Sequence, residues 1–157
     1  HEHADFKVYL NGEIINFNQT KYMSTNESKK SPFIDLHDND GNIVHQHMST
    51  TTLGHFFKSL GMDFTQTCFT PDDGRKFCNQ GSKTLKMYVN GVRNYEMEKY
   101  DFNDLDRILI TYGDEEEAIT SQINSVTDYS CITSGKCHER GLPPEESTCS
   151  ASDNCTV

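Results

Sequence analysis

The sequence predicts an α+β fold, in which a β-grasp-like mixed sheet built from hairpins packs against one short helix. Three observations predict this class. The string K-x-Y-φ-N-G occurs at residues 7–12 and again at residues 86–91, each time within a hairpin pattern. A short amphipathic pattern lies between the two copies, at residues 52–61. The largely apolar run at residues 107–112 is typical of a central strand.

Two hairpins are predicted around Asn-Gly dipeptides. Residues 6–17 turn at Asn11-Gly12, and residues 85–95 repeat the same pattern later in the chain. Asn-Gly is the strongest short hairpin signal, because both central residues of a tight hairpin turn need a positive φ. The two copies therefore predict two similar hairpins in one sheet.

A third hairpin is predicted over residues 33–48, after a polar loop at residues 20–32. If Asp38 pairs with Asn42 across a three-residue turn, Asp35 lies opposite His45 and Phe33 opposite His47. The stretch from Asp38 to Asn42 also resembles part of a calcium loop. It lacks the closing glutamate, so a hairpin turn is favoured.

Residues 52–61 predict the packing helix. Its apolar residues recur at i, i+3, i+4 and i+7, which places them on one helical face; they are Leu53, Phe56, Phe57 and Leu60. Thr51 or Thr52 can cap the start of this helix and Gly61 its end. His55 falls off the apolar face and is expected to face solvent.

The chain divides into a β-rich α+β domain at residues 1–113, a C-terminal helix at residues 114–130 and a Cys-rich acidic tail at residues 131–157. The helix is expected to open at Gly113-Asp114, with three glutamates in its first turn, where the helix dipole favours acids. Its apolar stripe is Ile119, Ile123 and Val126. The tail has no core of its own and depends on disulfides for order.

The six cysteines predict a disulfide framework; they are Cys68, Cys78, Cys131, Cys137, Cys149 and Cys155. No C-x-x-C pair is present. Cys68 and Cys78 flank a predicted hairpin around Asp73-Gly74 and are expected to bridge it. The other four form two C-x5-C units, in which Cys131 can pair with any of the other three. Such a framework favours an oxidising, extracytoplasmic location.

Other features agree with this location. Three glycosylation sequons begin at Asn18, Asn26 and Asn154. The sequence contains no run of about 18 apolar residues, so no membrane span is predicted. Because the chain begins at His1, we expect that a signal peptide was removed or that a larger chain was cut.

The net charge of −10 argues against nucleic-acid binding. Residues 114–157 contain nine acidic and two basic residues, so most of this charge lies in the C-terminal part. The simplest interpretation is a solvated acidic surface.

The histidines of the first third predict a transition-metal site. Alternate strand residues share a face, so Asp35 and His37 lie together, as do His45 and His47. With the predicted register, Asp35, His45 and His47 offer a carboxylate and two imidazoles, a set that suits Zn(II) or Cu(II). His1 and His3 can join them only if the first hairpin lies beside the second.

Two other interpretations of these histidines remain open. An amino-terminal chelate can bind Cu(II) or Ni(II) through the amine, amide nitrogens and the His3 imidazole, provided that His1 is the mature terminus. Alternatively, His-x-His on an exposed strand face is an ordinary polar surface. No catalytic motif stands out, since G-x-S-x-G, H-E-x-x-H and phosphate-loop strings are absent. His138 beside Cys137 is interpreted as a surface residue.

Several strings resemble a group of small exported proteins from archaea and uncultured bacterial lineages. These strings are F-K-V-Y-L-N-G, H-D-N-D-G-N-I-V-H-Q-H, T-L-G-H-F-F-K-S-L-G-M, L-K-M-Y-V-N-G and D-L-D-R-I-L-I-T-Y-G-D-E, with C-H-E-R-G-L-P-P-E-E-S-T-C in the tail. Many members carry the label protein-disulfide isomerase, which this chain does not support because it has no C-x-x-C to cycle electrons. The resemblance implies export rather than a chemistry, and it implies a histidine where this chain has Asp35.

The sequence therefore predicts a non-enzymatic, extracytoplasmic domain that binds copper or zinc through some of a six-residue set; this set is His1, His3, Asp35, His37, His45 and His47. The first alternative is a disulfide-stapled, glycosylated subunit of a cell-surface layer or extracellular filament, which would self-associate through edge strands. The second alternative is an exported thiol-disulfide oxidoreductase.

Overall fold

A computed structural model of the chain describes residues 1–114 and 118–144. The strands are β1 (Glu2–Leu10), β2 (Glu13–Ile14), β3 (Ile34–Asp35), β4 (Ile43–Gln46), β5 (Asp63–Phe64), β6 (Cys68–Thr70), β7 (Phe77–Cys78), β8 (Thr84–Val89), β9 (Val92–Asn94) and β10 (Arg107–Gly113). The helices are α1 (Leu53–Ser59), α2 (Ile119–Ser125) and α3 (Ser130–Thr133).

The main sheet has the strand order β3-β4-β1-β10-β8-β9, and β2 also pairs with β1. Its two central strands, β1 and β10, are parallel and align Phe6 with Ile108. The other pairings of this sheet are antiparallel. Strands β5, β6 and β7 form a separate small sheet. The mixed sheet with its first and last strands side by side confirms the β-grasp-like α+β prediction.

Both Asn-Gly hairpins are present. Asn11 and Gly12 have φ of 51° and 81°, and Asn90 and Gly91 have φ of 52° and 80°. These left-handed pairs join β1 to β2 and β8 to β9. The sequence therefore located both turns because few residues other than Asn and Gly adopt this backbone conformation readily.

The core lies between α1 and the inner face of the sheet. Ala4, Phe6, Val8 and Leu10 point inward from β1 and are buried. The ring of Phe6 packs edge-on against Phe56 of α1, with centroids 5.3 Å apart. The predicted helix is thus confirmed, with its apolar stripe buried as expected.

The solvent-exposed His55 contributes to the start of α1. Thr52 and His55 form a capping box, in which the backbone N–H of Thr52 donates to Nδ1 of His55 at 3.4 Å. The predicted exposure of His55 is correct. The ring takes the position that glutamate usually occupies in this motif.

The described C-terminal residues cover part of the opposite, outer face of the sheet. The fully buried carboxylate of Asp5 accepts hydrogen bonds from the backbone N–H groups of Tyr129 and Ser130, both at 2.9 Å, and from the Thr127 hydroxyl. Each of these bonds to a charged acceptor is of the stronger kind. Asp5 therefore fastens the start of α3 to β1.

The predicted C-terminal helix is shorter than residues 114–130. Gly113 is the last residue of β10, where it pairs with Thr84, so the helix does not open there. Helix α2 ends before Val126, whose ψ of 126° is extended. The Arg107 side chain donates to the carbonyls of Val126 and Thr127, which stabilises this exit from the helix. The three glutamates at 115–117 lie outside the described residues.

Two disulfides join the four cysteines within the described residues. Cys68–Cys78 links paired positions of β6 and β7, as the hairpin predicted. Cys131 pairs with Cys137, which decides between the alternatives left open by the sequence. Two disulfides are typical of proteins from oxidising, extracytoplasmic compartments. Cys149 and Cys155 lie outside the described residues.

Two of the three glycosylation sequons begin within the described residues. Asn18 and Asn26 are exposed, whereas Asn154 lies outside the described residues. None of the helices within residues 1–114 and 118–144 has the length and apolar character required to cross a bilayer.

Candidate metal centre

Strand β4 lies between β3 and β1 and brings the two histidine-bearing segments together. Asp35 pairs with His45 across one edge of β4, and His3 pairs with His45 across the other. The predicted register of the third hairpin is therefore correct. The condition set for His1 and His3 is also met, because the first hairpin lies beside the second.

All six candidate residues lie on the outer face of the sheet. Their neighbours Ala4, Ile34, Leu36 and Val44 point inward and form part of the hydrophobic core. The alternation of strand side chains then directs the histidines and Asp35 to the other side. We call this set the histidine face; it comprises His1, His3, Asp35, His37, His45 and His47.

The turn of the third hairpin differs from the predicted three-residue turn. Asp38 and Asn39 have φ of 57° and 58°, and the backbone N–H of Asp40 donates to the carbonyl of His37 at 3.2 Å. The turn therefore has two central residues, and Gly41 and Asn42 follow it before β4 begins. Asp40 Oδ1 accepts from the backbone N–H and the side chain of Asn42, which is the role of a turn residue.

Three residues of the histidine face can place one donor atom each around a common ion. Nε2 of His47 lies 3.2 Å from Oδ1 of Asp35, and Nε2 of His37 lies 3.9 Å from the same oxygen. All three donor atoms lie within 4.8 Å of one another. Ligands of a tetrahedral zinc ion are about 3.3 Å apart, given metal–ligand bonds of about 2.0 Å. We call Asp35, His37 and His47 the metal group.

Neighbouring side chains orient the two imidazoles of the metal group. Oδ2 of Asp38 lies 2.8 Å from Nδ1 of His37, so that nitrogen donates to the carboxylate and Nε2 is directed towards Asp35. Nδ1 of His47 lies 3.4 Å from Nε2 of His1 on the far side of its ring. A carboxylate that holds the second ring nitrogen is the usual outer partner of a metal-binding histidine.

Asp35 is held as an anion although it is only 4% exposed. Burial alone would raise its pKa, but hydrogen bonds from His47 and Ser24 and the charges of His47 and His37 outweigh burial. The pKa of Asp35 is therefore below its usual value. A buried carboxylate between imidazoles provides a negative ligand for a cation and balances its charge.

His45 is not part of the metal group, which corrects the predicted set of Asp35, His45 and His47. Its ring packs against that of His37, with centroids 3.6 Å apart and planes tilted by 34°. It is 3% exposed, and its buried Nδ1 has no hydrogen-bond partner among the described residues. His45 shares a face with Asp35 but does not reach the metal group, because its central position on β4 places its ring beneath the neighbouring rings.

His1 and His3 extend the histidine face over β1. The ring centroid of His1 lies 4.8 Å from that of His47, and the centroid of His3 lies 4.9 Å from that of His45. His3 is buried, and its Nδ1 lies 2.7 Å from the hydroxyl of Ser134. Sequence reasoning missed Ser134, since nothing in the chain links a serine in the Cys131–Cys137 loop to His3.

The folded strand contradicts the amino-terminal chelate. That chelate needs the amide nitrogen of His3 as a ligand, but in the structure this N–H donates to Oδ1 of Asp104 at 2.8 Å. Glu2 is paired with Gln46 in the sheet. A copper ion wrapped by the terminus would therefore have to remove the first residues of β1 from the sheet.

The metal-free protein is expected to lose stability between pH 7 and pH 5. Burial, with smaller contributions from His37, His3 and His47, lowers the pKa of His45 from 6.5 to about 2. The unfolded chain therefore takes up this proton before the folded one does. The contribution of neutral His45 to the free energy of unfolding is therefore fully present above pH 6.5. Below pH 6.5 it falls by about 1.4 kcal/mol per pH unit, which amounts to about 2 kcal/mol at pH 5.

Urea unfolding in the presence of a chelator, at both pH values, measures this loss. The variant His45→Gln is expected to lose about 2 kcal/mol less than the wild type over this interval. The exposed His138 provides a control, since His138→Gln should keep the wild-type loss. An equal loss in His45→Gln and the wild type would contradict the assignment to His45.

Comparison of the chain with protein-family models, with curated proteins and with solved structures finds no match. The function of the chain is therefore inferred from the geometry of its own residues.

Proposed function

We propose that the chain is a non-enzymatic, extracytoplasmic domain that binds one Zn(II) or Cu(II) ion through Asp35, His37 and His47. The observation that carries this proposal is the convergence of one carboxylate oxygen and two imidazole nitrogens within 4.8 Å. Each of the three comes from a different position of one hairpin, and Asp38 orients one of the imidazoles.

The ligand types indicate the class of metal. Imidazole suits zinc, copper, iron and nickel, whereas calcium and magnesium prefer sites made of oxygen ligands. The side chains of His37 and His47 are 29% and 25% exposed, so an ion can reach them from solvent. Three protein ligands leave at least one coordination position for water or an outside group.

A binding role without catalysis is supported by the surroundings of the metal group. Further imidazoles surround the metal group. A recess of about 250 Å³ lies away from it, between Lys86, Thr111 and Gln122 on the β8–β10 side of the sheet. Neither the described cysteines nor any recognisable catalytic motif lies at the group. The extracytoplasmic location is supported by the two disulfides and by the resemblance to exported proteins.

The test is the metal content of the full chain, measured by elemental mass spectrometry after purification without chelators. At least one equivalent of zinc or copper is expected, and zinc titration of the stripped protein should give a saturable site. Absence of both metals, together with no zinc binding at micromolar concentration, would overturn the proposal. The histidines would then form a polar surface.

A second candidate function, assembly into a surface layer or filament, is supported by the edge strand β9. Val92 is 70% exposed and Tyr95, just past the strand, is 73% exposed. A strand at the edge of a sheet, with exposed apolar side chains, favours strand addition by a second chain. Light scattering over a range of concentrations tests this candidate, and a monomer throughout, with calcium present, would contradict it.

The oxidoreductase alternative has less support. Each cysteine within the described residues is already in a disulfide. Thiol titration of the native chain should therefore find no reactive cysteine at these four positions.

A further inference from the structure

We propose that Asn11 is a modification site, at which the side-chain amide is lost and the link to Gly12 is converted to an isoaspartyl bond. The inference goes beyond the proposed function and does not depend on the metal group. It concerns the two copies of K-x-Y-φ-N-G, which form the same kind of turn but hold their asparagines differently.

The reaction is an intramolecular displacement followed by hydrolysis. Hydroxide removes the proton of the Gly12 backbone nitrogen, and this nitrogen attacks Cγ of Asn11. The bond from Cγ to Nδ2 breaks, and the leaving nitrogen takes a proton from water and departs as ammonia. Water then opens the resulting five-membered imide at either carbonyl, which leaves an aspartyl or an isoaspartyl residue. Glycine favours the attack because it has no side chain to obstruct the nucleophile.

The first argument is the weak hold on the Asn11 side chain. Asn11 and Gly12 are both exposed. Among the described residues, the side chain has one hydrogen-bond partner, the exposed Lys83, whose Nζ donates to Oδ1 at 3.3 Å. An exposed contact of this kind restrains a side chain little. It also places a cation beside the oxygen on which negative charge develops during the attack.

The second argument is the ease with which this turn can open. Asn11 and Gly12 have φ of 51° and 81°, which is a type I′ turn. In that conformation the glycine nitrogen points away from Cγ, so the intervening peptide must rotate before the ring can close. Strand β2 has only two residues, both exposed, and a Cβ at Gly12 would meet no atom within 4 Å. Short, exposed hairpin ends of this kind open at a low cost in free energy.

The third argument is the contrast with Asn90-Gly91, the other copy. Oδ1 of Asn90 accepts the backbone N–H of Arg107 at 2.9 Å, and its Nδ2 donates to Oδ1 of Asp106 at 2.8 Å. Asp106 is buried and also accepts the hydroxyl of Tyr100 at 2.7 Å. The Asn90 amide is therefore held at both of its polar atoms. Its rotation towards Gly91 would break two hydrogen bonds, one of them to a charged group.

The modification would change the β1–β2 hairpin in two ways. The new carboxylate would lie where the amide now accepts from Lys83, so an ion pair would replace a neutral acceptor. The isoaspartyl bond would add one carbon to the backbone between Leu10 and Glu13, which are paired across the turn. The pairing of β2 with β1 is therefore expected to loosen.

The test is incubation of the full chain in mildly alkaline buffer, followed by peptide mapping and detection of isoaspartate with an isoaspartyl methyltransferase. In the folded protein, isoaspartate is expected to form at Asn11 at least about tenfold faster than at Asn90. In urea, both positions should react at similar rates, because Asn-Gly follows a tyrosine and an aliphatic residue in each copy. The urea experiment therefore separates the effect of the fold from that of the local sequence.

The variant Asn11→Gln identifies the reacting side chain. Its ring would have six members and closes far more slowly, so this variant should lose the isoaspartate signal of the first hairpin and keep the wild-type circular dichroism. Equal rates at Asn11 and Asn90 in the folded chain would overturn the inference. So would a folded chain that stays unmodified at Asn11 over the time in which the unfolded chain is converted.

Discussion

Replacing His47 by alanine is expected to weaken zinc binding at the metal group at least about 100-fold, or about 2.7 kcal/mol. The substitution removes one of three ligands. It also removes a hydrogen-bond partner of Asp35, since Nε2 of His47 lies 3.2 Å from Oδ1 of that buried carboxylate. The two remaining ligands cannot hold an ion with comparable affinity, because the lost position would be filled by water.

Competition of the protein with a fluorescent zinc chelator measures this change. The matched control is His138→Ala, which removes an exposed histidine outside the histidine face and should leave zinc affinity unchanged. Zinc affinity within a factor of about three of the wild type in folded His47→Ala would show that His47 is not a ligand.

Replacing Gly41 by alanine is expected to destabilise the fold by about 3 kcal/mol or more. A Cβ at this position would lie 2.3 Å from the carbonyl carbon of Phe17 and 2.5 Å from the backbone nitrogen of Asn18. Both are backbone atoms, so no flexible side chain can move aside. The Gly41 N–H also donates to the Asn18 side chain at 2.6 Å, and the clash would break that bond.

Urea unfolding of the metal-free protein measures the loss, with Gly113→Ala as the matched control. A Cβ at Gly113 meets no atom within 4 Å, and its φ is not in the left-handed region, so this variant should stay within about 0.5 kcal/mol of the wild type. Gly41→Ala should also weaken zinc binding, because it displaces the turn that carries His37 and Asp38. Equal unfolding midpoints in the two variants would contradict the close packing of Gly41.

The parts of the fold that local chemistry determines could be predicted from the sequence. Asn-Gly turns require positive φ, so both hairpins were located. The pairing of Asp35 with His45 was also predicted, although the three-residue turn from which it was derived is not the turn observed. The helix followed from the spacing of Leu53, Phe56 and Phe57. The end of α2 could not be predicted in this way, because the Arg107 side chain, from a distant strand, donates to the carbonyls of the two residues that follow the helix.

The candidate metal centre was predicted in its residues but not in its grouping. The predicted face is correct, and it contains all six residues. The residues that converge are determined by side-chain directions and by burial. As a result, His37 rather than His45 lies beside Asp35 and His47. The contact of Ser134 with His3 joins residues more than a hundred positions apart, which no local pattern reveals.

The parallel pairing of β1 with β10 has a consequence for the order in which the chain folds. Phe6 and Ile108 are aligned in adjacent strands although about 100 residues separate them, so this pairing closes a long loop. Such non-local contacts make folding slow, whereas the pairing of β3, β4 and β1 involves only the first 46 residues. His37, His45 and His47 are therefore expected to come together early in refolding, and His3 is expected to reach its final environment last, when Ser134 docks against it.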